Sequence, residues 1–265
     1  AFEQARVLDA LEAVPYQDQV ALADSKPESG AAIHREFVAM ARAVSGRQRP
    51  RILVSTASAR DPYAAIGYYL ALYRQAGAEV RWLPLDHALA AAQANPPRDC
   101  ARLDTLRGAR WGAQDRARLH PGHAAELEAA CRDPRRLTAL LDWADGLFLN
   151  GGDQSLTRAA WHQPDGQASA ALRQLRARLQ AGTLVLGGTS AGSAVQAATT
   201  GPMLVSGSTR APSAPIALTA LPPDPDCAKA EACAGVDPDA LLYHPGGGLG
   251  SFMPGIVDTH FSERG

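Results

Sequence analysis

The chain has 265 residues, 46% of them hydrophobic, which is enough for a buried core, and no apolar run reaches the roughly 18 residues of a membrane span. With Gly 24 and Pro 19 the composition is neither collagen-like nor low-complexity. The 26 basic and 27 acidic residues leave a formal net charge of −1, so no whole-chain field draws nucleic acid or anionic lipid.

Taken in order, the chain alternates helix-like and strand-like segments. Helical spacing over 31–44 precedes a short apolar run at 51–55, and helical spacing over 63–75 precedes a strand-like run at 79–85. From 86 to about 137 the pattern weakens into Ala- and Arg-rich sequence broken by Pro96, Pro97, Pro121 and Pro134, which reads as an insertion of short helices. A strand follows at 146–150, a helix at 168–181, a strand at 183–186 and a helix opening at 190–198. Residues 206–239 are Pro-, Ser- and Asp-rich loop, and a last strand is predicted near 256–261. This rhythm predicts one α/β domain over 1–265, with a mainly parallel sheet and helices on both faces.

Cys100, Cys131, Cys227 and Cys233 are an even set. They read either as scattered thiols or as two disulfides, Cys100–Cys131 and Cys227–Cys233, of an exported protein in an oxidising compartment. A chain beginning at Ala1 without Met is in keeping with a mature exported protein. The Cys227/Cys233 spacing lacks the C-x₂₋₄-C form of a zinc site, and no metal or cofactor is expected.

The strongest chemical signal is Gly188-Thr-Ser190-Ala-Gly192, a G-x-S-x-G pattern that follows a strand and opens a helix. Such a turn lifts Ser190 above the sheet edge as a nucleophile, small neighbours allow close backbone approach, and the Ala191 N–H becomes an oxyanion donor. The plainer alternative is a serine that only caps the helix. A second turn, Asn150 to Gln154, also follows a strand; Gly151 or Gly152 would add an oxyanion donor and Gln154 would hold a polar group of the substrate. His260 ends the last apolar run, in the position of a base for Ser190, with Asp258 two residues earlier on the same face. His34, His87, His120, His123, His162 and His244 have no comparable setting and read as surface or structural.

Three ordered stretches, 147–154 (LFLNGGDQ), 187–194 (GGTSAGSA) and 254–264 (PGIVDTHFSER), resemble the dipeptidase E and cyanophycinase family of serine peptidases, over about residue 51 to the end. The resemblance implies a flavodoxin-like three-layer fold of the class I glutamine amidotransferase kind. It also implies cleavage of β-linked aspartyl-arginine in cyanophycin, with Ser190 as nucleophile, His260 as base, and Gln154, Asp258 and Arg264 lining the pocket. Thr259 stands where that family has glutamine, and the family's glycine-rich first strand is not evident in 17–24. The family also continues past the position of Arg264, so a C-terminal part of the fold is expected as a further segment of the same gene product, either packed non-covalently against this chain after cleavage following Gly265 or continuous with it. The partners expected are therefore an aspartyl peptide, that C-terminal fragment and a second copy in a homodimer, with no nucleic acid and no membrane. Other readings are an α-aspartyl dipeptidase, an esterase of the α/β-hydrolase kind, and a silent binding protein on the same fold. No Asp or Glu clearly stands on a strand end between elbow and histidine, which counts against the esterase.

Overall fold

Three short, largely apolar runs and one alternating run, Glu79–Trp82, all too short for helices, form the central sheet. The computed structural model describes residues 20–26, 28–94, 99–111, 116–199, 203–204, 243–244 and 246–259. Strands β1 (Arg51–Ser55), β2 (Glu79–Trp82), β3 (Gly146–Leu149) and β4 (Val185–Gly188) are all parallel, in the order β2-β1-β3-β4. Val54 is in register with both Trp82 and Phe148, and Phe148 with Gly187. This order is consistent with a flavodoxin-like sheet, in which the chain turns outward to β2 and then crosses back to β3.

The two-residue period of a strand divides the core between the two faces. Ile52, Val54 and Phe148 pack against Phe37 and Val38 of α1 (Glu28–Ser45) and Leu72 and Tyr73 of α2 (Ile66–Gln75). Leu53, Leu147 and Leu149 point the other way. They join a larger cluster with residues of α3 (His87–Ala94), α4 (Leu103–Trp111), α6 (Pro121–Arg132), α7 (Arg135–Trp143), α8 (Gln154–Trp161) and α9 (Ala170–Gln180). Helices therefore cover both faces, as the sequence predicts.

The described residues between 86 and 137 form mostly short helices, α3, α4, α5 (Arg116–Leu119) and α6, inserted between β2 and β3. Two devices hold them. A Cys100–Cys131 disulfide, with Cα atoms 5.7 Å apart, ties the chain ahead of α4 to α6. Wholly buried Arg107 donates to Asp86 Oδ2 through Nε at 2.9 Å and Nη2 at 2.6 Å, and also meets Asp104. Burial lowers the Arg107 pKa, but the charge and hydrogen bond of Asp86, with Tyr63 and Asp104, together outweigh it and raise the value.

Several expectations are corrected. The helix predicted over 190–198 stops early, as α10 (Ala191–Ala194). Beyond it the backbone turns to bond residues 248–252, with Leu249 N–H donating to Val195 O at 2.6 Å and Ala197 bridged to Phe252. Of the strand predicted near 256–261, residues 256–259 are described and form no strand, with Ile256 45% exposed. An apolar run becomes a strand only where a neighbour completes its ladder, and among the described residues β4 pairs only with β3. Asp258 is therefore not held on a strand face. Helix α8 was not expected, nor was the antiparallel pair β5 (Met203–Leu204) and β6 (Tyr243–His244). His260, Arg264, Cys227, Cys233 and the 206–239 loop lie outside the described residues.

Candidate active site

Parallel strands deliver all their carboxyl ends to one edge, and the loops that follow β1, β3 and β4 meet there. The β1 and β3 loops are tied by short bonds: Asn150 N–H donates to Ser55 O at 3.0 Å, Ser58 N–H to Asn150 Oδ1 at 3.1 Å, and Asp153 N–H to Ser58 O at 2.8 Å. Asn150 is thus the clasp of the edge, accepting with its side-chain oxygen while Nδ2 donates to Gly151 O at 2.8 Å. Asp153 then caps α8 by accepting from Ser155 N–H at 2.8 Å.

Ser190 sits at the tip of the β4 turn with φ 51 and ψ −118, the sole non-glycine with positive φ among the described residues. A serine is held in so unfavourable a conformation, at a cost of about 1–3 kcal/mol, only where the surroundings impose it. Here two glycines impose it. A Cβ on Gly188 would lie 2.3 Å from Gly192 O, and one on Gly192 would lie 2.2 Å from Leu149 O, so only hydrogen atoms fit where the turn crosses β3. The turn is completed by Gly192 N–H donating to Thr189 O at 2.8 Å and Ser193 Oγ donating to Gly188 O at 2.9 Å. Ser190 is half-buried, and Ala191, the first residue of α10, presents an N–H of the kind that the helical ladder leaves unused.

The predicted residues separate into two sets. Gly151 lies against Ser190, since a Cβ on it would stand 3.3 Å from Ser190 Cβ. Gly152, with φ 139, instead faces the β1 loop, where a Cβ would stand 2.3 Å from Ser58 O; its part is to turn the backbone. Gln154 is buried at the start of α8. Asp258 is exposed, its Oδ1 accepting from Thr259 N–H at 2.7 Å, while Thr259 is half-buried.

Sequence reasoning passed over Tyr69. It lies on α2, its ring packed on Phe148 with centroids 5.7 Å apart. Burial raises its pKa, and the Gly151 backbone lowers it in part. No local pattern marks this residue, because the contact joins segments some eighty positions apart. It also passed over Arg158, which donates from Nε to Gly247 O at 2.7 Å, and Arg176, which donates to Leu249 O at 2.8 Å. Together these two dock the segment that leads into the 254–264 stretch. Near them His162 and His244 are both held neutral, their pKa lowered to about 4 first by burial and then by the Arg158 charge.

Among the described residues no three His, Cys, Asp or Glu side chains gather to hold a metal ion, and no helix is long and apolar enough to cross a membrane. No protein-family model matches the chain.

Proposed function

We propose that this chain is a serine hydrolase acting on peptide or isopeptide bonds at aspartate, of the cyanophycinase kind, on a class I glutamine amidotransferase-like fold. The observation that carries the reading is the backbone of Ser190, a strained serine at a strand-to-helix turn, packed beside Gly151 at the carboxyl edge of a parallel sheet. A capping serine needs no such conformation, and this one makes no side-chain cap to its helix.

In the proposed reaction Ser190 Oγ attacks the scissile carbonyl carbon while His260 takes the hydroxyl proton. The carbonyl oxygen gathers negative charge and is met by the Ala191 N–H and by the Gly151 side of the pocket. Collapse of the tetrahedral adduct breaks the C–N bond, and His260 returns the proton to the leaving amine. Water then repeats the sequence on the acyl-serine, with the same base, to release the acid. Gln154, Asp258, Thr259 and Arg264 are assigned to substrate recognition, Asp258 being suited to an arginine guanidinium. The Cys100–Cys131 bond suits an exported enzyme. The test is covalent labelling: a fluorophosphonate probe adds once to the wild-type protein, at Ser190 by peptide mapping, and not to Ser190→Ala. Absence of labelling on wild type, or labelling that persists in the variant, would remove the nucleophile assignment.

A further inference from the structure

Arg158 and Arg176 are half-buried cations that use only part of their guanidinium groups to hold the chain at 246–249. Arg158 donates from Nε to Gly247 O at 2.7 Å and from Nη2 to Gly246 O at 3.3 Å, and Arg176 donates from Nε to Leu249 O at 2.8 Å. Nη1 of Arg158 and both Nη groups of Arg176 donate to no described residue, and none of them is sealed from solvent. Burial lowers the pKa of both arginines, and no carboxylate among the described residues raises it. A charge withdrawn from water ordinarily has an opposite charge beside it, and these two have none. His244 completes the cluster. A Cβ on Gly246 would stand 2.6 Å from Arg158 Nη2 and 3.2 Å from His244 Cε1, so guanidinium and imidazole meet over a residue that leaves room for them only as glycine. Gly246 N–H donates to His244 Nδ1 at 3.1 Å, which leaves the ring proton on Nε2. His162 brings no negative charge either, its Nδ1 donating to Arg158 O at 3.0 Å.

The fold sets this cluster close to the Ser190 turn. Arg158 lies one turn along α8 from Gln154, and α8 packs against α10, the helix that Ser190 precedes. Just past α10, Val195 O and Ala198 O accept from Leu249 N–H at 2.6 Å and Gly248 N–H at 3.0 Å, which fixes the 246–249 run to the same structure. We infer that Arg158, Arg176 and His244 form a subsite for a carboxylate of the substrate. Arg158 Nη1 and His244 Nε2 donate to the carboxylate oxygens, and Arg176 supplies the second positive charge. Donors without a neighbouring acid call for an oxyanion, and the planar guanidinium edge suits a planar carboxylate. The choice of carboxylate rests on the serine-hydrolase reading above, in which the substrate is an aspartyl peptide.

In isotope-labelled protein the His244 Cε1–H resonance reads the subsite directly. Sodium acetate should move it along a saturable curve, and sodium chloride at the same ionic strength should not. Arg158→Gln should weaken acetate binding about tenfold or more, because it removes a charge-assisted donor. That variant also loses the bond to Gly247 O, so Arg176→Gln, on a different helix, is the second variant; it should weaken acetate binding as well. Equal movement with chloride, movement with inorganic phosphate alone, or wild-type acetate affinity in both variants would overturn the inference. Absence of any acetate response in wild-type protein that still takes the fluorophosphonate at Ser190 would overturn it and leave the serine-hydrolase reading standing. Acetate binding by protein that does not label would overturn the assignment of the subsite to a hydrolase substrate.

Discussion

Replacing Ser190 by alanine removes one hydroxyl from a turn that its glycine neighbours already shape. The expected loss of hydrolysis is on the order of 10³-fold or more, with the circular dichroism spectrum unchanged; activity within a few-fold of wild type would contradict the assignment. Gly192→Ala makes the opposite kind of change. Its methyl would meet Leu149 O, a backbone atom that cannot step aside, so a destabilisation of about 3 kcal/mol is expected in denaturant titration together with loss of labelling. Ser190, Gly188 and Gly192 were legible in the sequence because the elbow is a local device, five residues behind a strand. The packing of Tyr69 on Phe148 and the clasp at Asn150 were not, since each joins segments that only folding brings together. Gly152 shows the limit of reading a turn from composition: it shares a Gly-Gly pair with Gly151 and faces the opposite way.

Among elements, the strands were easiest to read, since buried parallel strands are short apolar runs, and β1 spans the predicted 51–55. Helix α8 was missed because its first residue, Gln154, closes a stretch that reads as a polar turn; the signals present were the Asp153 cap and the Leu156, Ala160 and Trp161 stripe. Strands β5 and β6 have two residues each and carry no period to detect. The helices between β2 and β3 depend on their cross-links. Breaking Cys100–Cys131, which spans 31 residues, by paired alanine substitution should cost about 3–4 kcal/mol, measured as the shift in chemical denaturation under non-reducing conditions. Insensitivity to the substitution would mean that the helices hold without it. Arg107→Met should cost about 3–5 kcal/mol because it leaves the Asp86 carboxylate buried and unpaired. Adding Asp86→Asn removes that charge and keeps an oxygen for the Leu89 N–H, so the double variant should recover part of the loss. A double variant no more stable than Arg107→Met would show that the charge is not the cause.

For the whole molecule, buried His162 and half-buried His244 set a pH dependence. His162 and His244 have an ordinary pKa of 6.5, and in the fold both are lowered to about 4. Between these values the unfolded chain binds protons that the folded chain refuses. Their contribution to stability is therefore complete above pH 6.5 and is lost as the pH falls toward 4. His162 is only 5% exposed, so little solvent screening applies to it. The melting temperature should drop between about pH 7 and about pH 5, and His162→Gln should make that drop smaller; an unaltered pH slope in the variant would contradict the account.

The same architecture bears on function. A parallel sheet brings Ser190, Gly151 and the start of α8 to one edge, where the chain reverses direction between β1 and β3 and ligands of such sheets bind. The proposal that this edge cleaves aspartyl-linked substrate through Ser190 is tested by incubating the purified protein with insoluble cyanophycin. Soluble β-aspartyl-arginine, identified by mass spectrometry, is expected from wild type and none from Ser190→Ala. Polymer left intact by wild type, or dipeptide released equally by both proteins, would contradict it.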